Sequence, residues 1–195
     1  MKEIVFFSNN QNKILEVENL FLNLPYKLLN LKNLKNINFP KETGKTFEEN
    51  AKIKSNYGIK NFNKICFSDD SGICIESLNN LPGVNSKKYI SSKKNKTKFF
   101  KNIILESKNK KNFNAFFQTT ICLSLSLKKN IFFNGRVNGK ISPYIKGNEG
   151  FGYDPIFIPK GSNKTFAEMT LEEKNLFSHR SIAIKKLVGY LAKLI

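Results

Sequence analysis

Two long runs of alternating apolar and polar residues lie close together in the second half of the chain. The runs are NFNAFFQTTICLSLSL (112–127) and NIFFNGRVNGKI (130–141). Alternation of this kind gives a strand one face for a core and another for solvent. Because only a short turn around residues 128–130 separates the two runs, we predict an antiparallel hairpin. Any fold for this chain must therefore contain a sheet.

Helical patterns occur between the strand-like segments. The other predicted strands cover residues 2–8, 26–31, 64–68 and 72–76. The predicted helices cover residues 12–23, 46–60 and 96–107, followed by two helices that open at Thr170 and at Ser178. Thr46 with Glu49, and Thr170 with Glu173, match the capping box that opens a helix. This mixture predicts an α/β fold around a mixed sheet.

Length, hydropathy and cysteine usage indicate a cytoplasmic protein with no membrane association. A chain of 195 residues fits one domain, and no apolar run approaches the roughly 20 residues that a spanning helix needs. The three cysteines, Cys66, Cys74 and Cys122, have no CxxC spacing. An odd number of cysteines without a framework is typical of a reducing compartment.

The net charge of +18 is compatible with nucleic-acid binding. However, 31 of the 33 basic residues are lysines spread along the chain. Proteins that read nucleic acids favour arginine, whose planar fork grips phosphates and bases. We therefore expect no specific nucleic-acid partner. The alternative, a binding protein that uses its basic surface, predicts tight and strongly salt-dependent association.

Aspartate is rare in this chain, and two of its three aspartates are adjacent, in the motif DDSG (69–72). Neighbouring side chains on a strand point to opposite faces, so Asp69 and Asp70 share a task only if the strand ends there. The Ser71-Gly72 pair favours such an end. Magnesium takes one or two carboxylates together with substrate phosphates, and a carboxylate can also deprotonate an attacking water. The alternative is an Asx-turn.

Three other stretches contain candidate functional residues. SNNQNK (8–13) joins a strand to a helix, where backbone N–H groups bind anions; the alternative is a capped turn with a solvated lysine. In ETGKTFEENAKIK (42–54), helix capping explains Glu49 but leaves Glu42 as the better metal ligand. In LEEKNLFSHRSIA (171–183), His179 and Arg180 fall in a first helical turn, where cations are disfavoured. An exposed pair is the alternative there.

Taken together, these motifs resemble the inosine triphosphate pyrophosphatase family. The resemblance runs nearly end to end, through SNNQNK, TFEENAKIK, DDSGICIESLNNLPGV, GNEGFGYDPIF, KTFAEM and EEKNLFSHR. It implies an elongated central mixed sheet flanked by helices, with two lobes and an active-site cleft between them in one domain over residues 1–195. It also implies a homodimer that cleaves ITP, dITP and XTP to the monophosphate and pyrophosphate.

The resemblance also implies roles for individual residues. Glu42 and Asp70 would bind a divalent cation such as Mg²⁺, Asp70 would be the catalytic base, and Asp69 and Glu49 are further metal candidates. The predicted triphosphate loop consists of Ser8, Asn9, Asn10, Gln11, Asn12 and Lys13. The other predicted substrate contacts are Ser71, Phe151, Gly152, Tyr153, Asp154, Lys174, His179 and Arg180.

The chain departs from the family pattern at two residues, and family members often carry more residues in the middle helix. Asn9 stands where the family usually has glycine, and Lys88 stands where it usually has arginine. Lysine cannot reproduce a bidentate arginine contact, so these changes bear on efficiency. A relative that binds nucleotides without hydrolysing them is a further alternative, which retention of Asp70, Lys174, His179 and Arg180 disfavours.

Overall fold

The computed structural model describes residues 2–21, 25–31 and 38–193, and these form a seven-stranded mixed sheet with helices. The strand order is β2-β1-β3-β5-β6-β7, with β4 paired to β3. The strands are β1 (Lys2–Phe6), β2 (Tyr26–Asn30), β3 (Cys66–Ile75), β4 (Leu81–Pro82), β5 (Asn114–Ser126), β6 (Lys129–Ile141) and β7 (Phe157–Pro159). Strand β1 pairs in parallel with β2 and β3, whereas β3–β4 and β6–β7 are antiparallel. The predicted α/β fold with a mixed sheet is confirmed.

Five of the helices agree with the predicted pattern apart from their ends, and the short α3 was not predicted. They are α1 (Gln11–Phe21), α2 (Phe47–Phe62), α3 (Ser86–Ser91), α4 (Lys96–Asn109), α5 (Leu171–Phe177) and α6 (His179–Ala192). The end predicted for the first helix, at residues 22 and 23, lies outside the described residues. Among the described residues, no helix has both the length and the apolar character that crossing a membrane requires.

The two predicted capping boxes have different outcomes. At α5, Thr170 and Glu173 each accept a hydrogen bond from the other's backbone N–H, as predicted. At α2, the Thr46 hydroxyl accepts from the Glu49 N–H, but the Glu49 carboxylate accepts from the N–H of Lys45 at 2.6 Å. The predicted hydrogen bond from the Thr46 N–H to the Glu49 carboxylate is therefore wrong by one residue, because the Glu49 side chain reaches past Thr46 to the N–H of Lys45.

The strand that carries the two adjacent aspartates is continuous. We predicted a break at Ser71-Gly72, but β3 runs from Cys66 to Ile75 without interruption. Serine, glycine and aspartate are poor strand formers, and here the strand lies inside the sheet, between β1, which pairs with its first residues, and β5. Asp69 and Asp70 therefore point to opposite faces of the sheet.

The chain divides into two compact units, each with its own apolar core. The first contains Met1–Asp70, Thr119–Gly135 and Arg180–Ile195, and the second contains Ser71–Gln118 and Arg136–His179. In the first unit, α1 and α6 bury Ile14, Val17 and Leu187 in one cluster with Phe6 and Phe67. In the second unit, the main cluster contains Ile75, Ile103, Phe117, Ile156 and Phe157.

Candidate active site

The loop before α1 is a capped turn whose lysine is partly buried. The Asn10 side-chain oxygen accepts from the N–H groups of Asn12 and Lys13, at 3.1 and 3.3 Å. The Ser8 hydroxyl oxygen accepts from the Asn10 N–H at 3.3 Å. The Lys13 side chain is only 13% exposed, and its Nζ lies 3.0 Å from Asp69 Oδ2. The turn is thus the capped one that we considered, but its lysine is held by a carboxylate. Asn9 and Gln11 are exposed.

Asp69 is the centre of a buried charge cluster in the first unit. Its Oδ2 accepts from Arg180 through Nη2 at 3.0 Å and Nε at 3.2 Å, while Arg180 Nη1 donates to Glu16. Burial raises the pKa of Asp69, but the charges of Lys13 and Arg180 outweigh it and hold that pKa far below its ordinary value. Asp69 is therefore a carboxylate anion throughout the physiological pH range.

Asp70 belongs to a second cluster, with Glu42 and two side chains of α2. Lys54 Nζ donates to Glu42 Oε1 at 2.6 Å and to Asp70 Oδ1 at 3.2 Å. Asn50 Nδ2 donates to Asp70 Oδ2 at 3.2 Å, and its own oxygen accepts from the Gly44 N–H. Burial, with a contribution from Glu42, raises the pKa of Asp70 despite the lysines nearby. A carboxylate with a raised pKa is better suited to accept a proton.

The donor set of this second cluster fits a hard divalent cation. Glu42 and Asp70 both contact one ammonium group, so their oxygens surround a single position. In the part of the chain that the structure describes, no group of three or more His, Cys, Asp or Glu residues is placed to hold a metal. Two carboxylates suffice for Mg²⁺, which commonly takes its other ligands from water and phosphate. Glu49 is committed to Lys45.

In the second unit, Asp154 fixes the glycine-rich GFGYD turn and a buried lysine. Its Oδ2 accepts from the Phe151 N–H at 2.8 Å and from Lys174 Nζ at 2.7 Å. Gly150 has a φ of +71°, and a Cβ there would lie 2.2 Å from Asp154 Oδ2. The Lys174 Nζ also lies 4.9 Å from the centre of the Phe151 ring. The turn therefore presents an aromatic face beside an ammonium group.

The remaining predicted contacts of this unit have different environments. Tyr153 is buried in the core, where its hydroxyl donates to the Ser86 carbonyl at 3.3 Å. The His179 ring stacks on Phe117 with centroids 4.8 Å apart. Ser71 and Gly152 are half-buried. Substrate contact by any of these residues stays a prediction.

Several members of the first-unit clusters were not predicted from the sequence, notably Glu16, Asn50 and Lys54. Glu16 lies among the apolar positions of α1, where an acidic side chain must be buried, and this was a usable signal. Asn50 and Lys54 are four residues apart, so they share one face of α2. Their partner Asp70 could be recognised only from the fold.

The chain matches the family model described as "Ham1 family" over residues 4–190. It is 45% identical to the "dITP/XTP pyrophosphatase" of Borreliella burgdorferi, with 99% of this chain and 98% of the relative covered. It is 40% identical to the protein of the same name from Flavobacterium psychrophilum, covering 96% and 98%. The chain belongs to the Ham1 family. The resemblance inferred from the motifs is thereby confirmed.

Structural comparison agrees with this membership. The Staphylococcus aureus Ham1 protein superimposes with a TM-score of 0.85 at 35% identity, and the match covers 100% of both chains. The mixed sheet flanked by helices is thus the architecture of the Ham1 family.

Proposed function

We propose that this Ham1-family protein hydrolyses damaged purine nucleoside triphosphates, namely ITP, dITP and XTP, to the monophosphate and pyrophosphate. The relatives that match it over nearly their whole length bear the name dITP/XTP pyrophosphatase. The observation that supports the chemistry best is the Asp70 carboxylate, which is buried beside Glu42 and Lys54. This reaction removes damaged purines from the nucleotide pool.

In the proposed reaction, first-unit residues act on the phosphates. Asp70 holds the attacking water and accepts its proton as the α–β phosphoanhydride bond breaks. Lys13 and Lys54 neutralise phosphate charge, and the loop from Ser8 to Lys13 supplies polar contacts at a helix N-terminus. A Mg²⁺ ion bound by Glu42 and Asp70 would supply further neutralisation of phosphate charge.

Second-unit residues are proposed to select the purine. Phe151 offers an aromatic face for stacking, and Lys174 offers N–H donors beside it. A lysine is only a donor, so it pairs with the O6 acceptor of hypoxanthine or xanthine and meets another donor in adenine. Unpaired buried polar groups are costly, and this cost gives strong discrimination. We propose that His179, the backbone of residues 151–154 and, from the first unit, Arg180 contribute to the same purine recognition.

The proposal extends to the organisation of the enzyme. We expect one two-lobed catalytic domain with its cleft between the lobes, a homodimer, and a cytoplasmic location. Three free cysteines support a reducing compartment. Size-exclusion chromatography with light scattering tests the dimer directly.

The first prediction concerns activity and its catalytic base. Purified protein with Mg²⁺ should release pyrophosphate from dITP, ITP and XTP, and at least about 10²-fold less efficiently from ATP. Asp70→Asn should lower kcat by about 10²–10⁴-fold, because the water loses its proton acceptor. Chelation of the metal should abolish turnover.

Glu48→Gln is the matched control, since Glu48 is an exposed acidic residue at the start of the same helix that carries Lys54. It should keep activity within about twofold. Equal turnover of ATP and dITP would refute the proposed specificity. Nucleotide binding without pyrophosphate release would indicate a binding protein, and tight salt-dependent binding of nucleic acid would support the alternative class.

A further inference from the structure

The two adjacent aspartates of β3 contact different sets of side chains. Asp69 Oδ2 contacts Lys13, Arg180 and the Thr119 hydroxyl, whereas Asp70 contacts Asn50 and Lys54. The strand is continuous, so the two carboxylates lie on opposite faces of the sheet. Opposite faces and separate contacts therefore indicate separate tasks for the two residues. Asp70 has a proposed role, and Asp69 requires a separate one.

The charges around Asp69 oppose its use as a metal ligand. One of its oxygens already receives the ammonium of Lys13 at 3.0 Å and the guanidinium of Arg180 at 3.0 Å. A divalent cation bound there would face both positive charges at short range in a poorly screened site. The side chain is 1% exposed, whereas Mg²⁺ usually retains several of its waters.

The same contacts make Asp69 a suitable anchor for Lys13. A lysine side chain has a flexible stem, and fixing its ammonium group at one position requires a partner. Asp69 is itself fixed, because Arg180 binds it through two nitrogens and joins it to Glu16 on α1, the helix that also carries Lys13. Glu16 is one turn from Lys13 on that helix. The cluster therefore fixes the position of Lys13 with respect to both β3 and α1.

A further observation concerns the second oxygen of Asp69. Within the described residues, Oδ1 of Asp69 is buried with no hydrogen-bond partner, while every donor around this carboxylate approaches Oδ2. The two cations and the Thr119 hydroxyl therefore all meet Asp69 at one oxygen atom.

We propose that Asp69 is a positioning residue, which holds Lys13 in place for the nucleotide phosphates and acts on the reaction only through that lysine. This rests on the proposed function. It separates the DDSG pair into one residue for the chemistry and one for phosphate binding. The substrate feature that it serves is the polyphosphate chain, independent of the base.

The second prediction compares Asp69→Asn with Asp70→Asn. Asp69→Asn keeps the side-chain shape but removes the charge that holds Lys13, so KM for dITP should rise about tenfold or more while kcat changes less than about threefold. The amount of Mg²⁺ needed for half-maximal activity should not change. Asp70→Asn should show the reverse pattern, with kcat lost. Glu3→Gln is the control, because Glu3 also pairs with two lysines, Lys27 and Lys64, but at the surface.

The decisive measurement is a double-mutant cycle. In a Lys13→Met background, Asp69→Asn should change kcat/KM less than about twofold, because the lysine that it positions is gone. Effects that add independently would mean that Asp69 has only a structural role. A raised Mg²⁺ requirement, or lost kcat with unchanged KM, would instead place Asp69 in the metal site or the chemistry. Either result overturns the proposal.

Two further measurements protect the test. If Asp69→Asn does not fold, Thr119→Val removes the hydroxyl that lies 3.2 Å from both Asp69 Oδ2 and the Asp70 carbonyl oxygen, and it should raise KM about threefold with kcat unchanged. An unchanged KM there contradicts the proposal. If the unmodified protein fails to cleave dITP, the proposed function fails. Binding of inorganic tripolyphosphate, followed by calorimetry, then still reports whether Asp69→Asn weakens binding through Lys13.

Discussion

Lys54 occupies the position between two carboxylates, at 2.6 Å from Glu42 and 3.2 Å from Asp70. Burial lowers the pKa of Lys54, but the charges of Asp70 and Glu42 together outweigh burial and raise that pKa, so the side chain stays charged. The Lys54 ammonium group therefore neutralises the same two carboxylates that a divalent cation would bind. At residue scale, the ammonium group of Lys54 and the proposed Mg²⁺ ion would use the same two carboxylates. The two cations must therefore compete for these carboxylates or share them.

The third prediction follows from this competition. Lys54→Gln removes the internal cation, so the free protein should bind Mn²⁺, which accepts the same oxygen ligands, about tenfold more tightly. Electron paramagnetic resonance titration without nucleotide measures this. KM for dITP should rise in the same variant, since a phosphate partner is lost. Lys52→Gln, on the exposed side of α2, is the control. Weaker or unchanged Mn²⁺ binding would show that Lys54 does not compete with metal.

The contact between α2 and the sheet depends on a glycine. A Cβ on Gly58 would lie 2.3 Å from the Sγ of Cys66 on β3 and 3.1 Å from the Phe7 ring. The helix thus approaches the sheet at a distance that no other residue allows. At the element scale, this close packing of α2 on the sheet places Asn50 and Lys54, in the first half of the same helix, beside Asp70.

The fourth prediction is that Gly58→Ala destabilises the protein although alanine favours helices. The gain of up to about 1 kcal/mol in helix propensity is smaller than the roughly 1–3 kcal/mol cost of overpacking. Urea denaturation should show a net loss, and the loss should shrink in a Cys66→Ala background, where the Sγ is absent. Gly189→Ala in α6 has open space and should be neutral or stabilising. An equal change in the free energy of unfolding for Gly58→Ala and Gly189→Ala would refute the close packing of α2 against the sheet at Gly58.

Local sequence patterns predicted where helices and strands lie better than they predicted whether a strand is continuous. The capping residues Thr46 and Thr170 and the strands of the hairpin act over a few residues, so the sequence carries them directly. The hairpin turn lies at residues 127–128, and a connection this short joins antiparallel strands. The path of β3 through DDSG depends on pairing with neighbouring strands, which local propensity does not contain.

In the candidate site, too, local sequence features were predictable and long-range contacts were not. Asp70 became a functional candidate because aspartate is rare in this chain, and Lys13 and Lys174 became candidates because their motifs resemble those of the family. The partners that set their chemistry could not be found in this manner. Arg180 and Glu16 are 164 residues apart in sequence, and Arg180 and Asp69 are 111 apart. Only the fold brings such residues together.

At the scale of the whole molecule, the chain passes between the two compact units several times. The boundaries fall between Asp70 and Ser71 in β3, between Gln118 and Thr119 in β5, between Gly135 and Arg136 in β6, and between His179 and Arg180 at the start of α6. Three strands therefore contribute residues to both units. A unit that unfolded alone would have to end each of these strands in the middle of its hydrogen-bonded ladder. This connectivity favours a single cooperative transition.

The fifth prediction tests that cooperativity with one truncation in each core. Leu187→Ala in the first unit and Ile156→Ala in the second should each cost about 2–5 kcal/mol, since both side chains are fully buried. Hydrogen exchange at increasing urea, read by mass spectrometry, should show each variant lowering protection equally in core peptides of both units. Leu127→Ala, at the exposed hairpin turn, should change stability by less than about 0.5 kcal/mol. If Leu187→Ala released only first-unit peptides, the units would unfold separately. The three shared strands would then have to fray at the boundaries between the units. In β3 that boundary lies between Asp70 and Ser71, so the DDSG motif would lie where the strand frays.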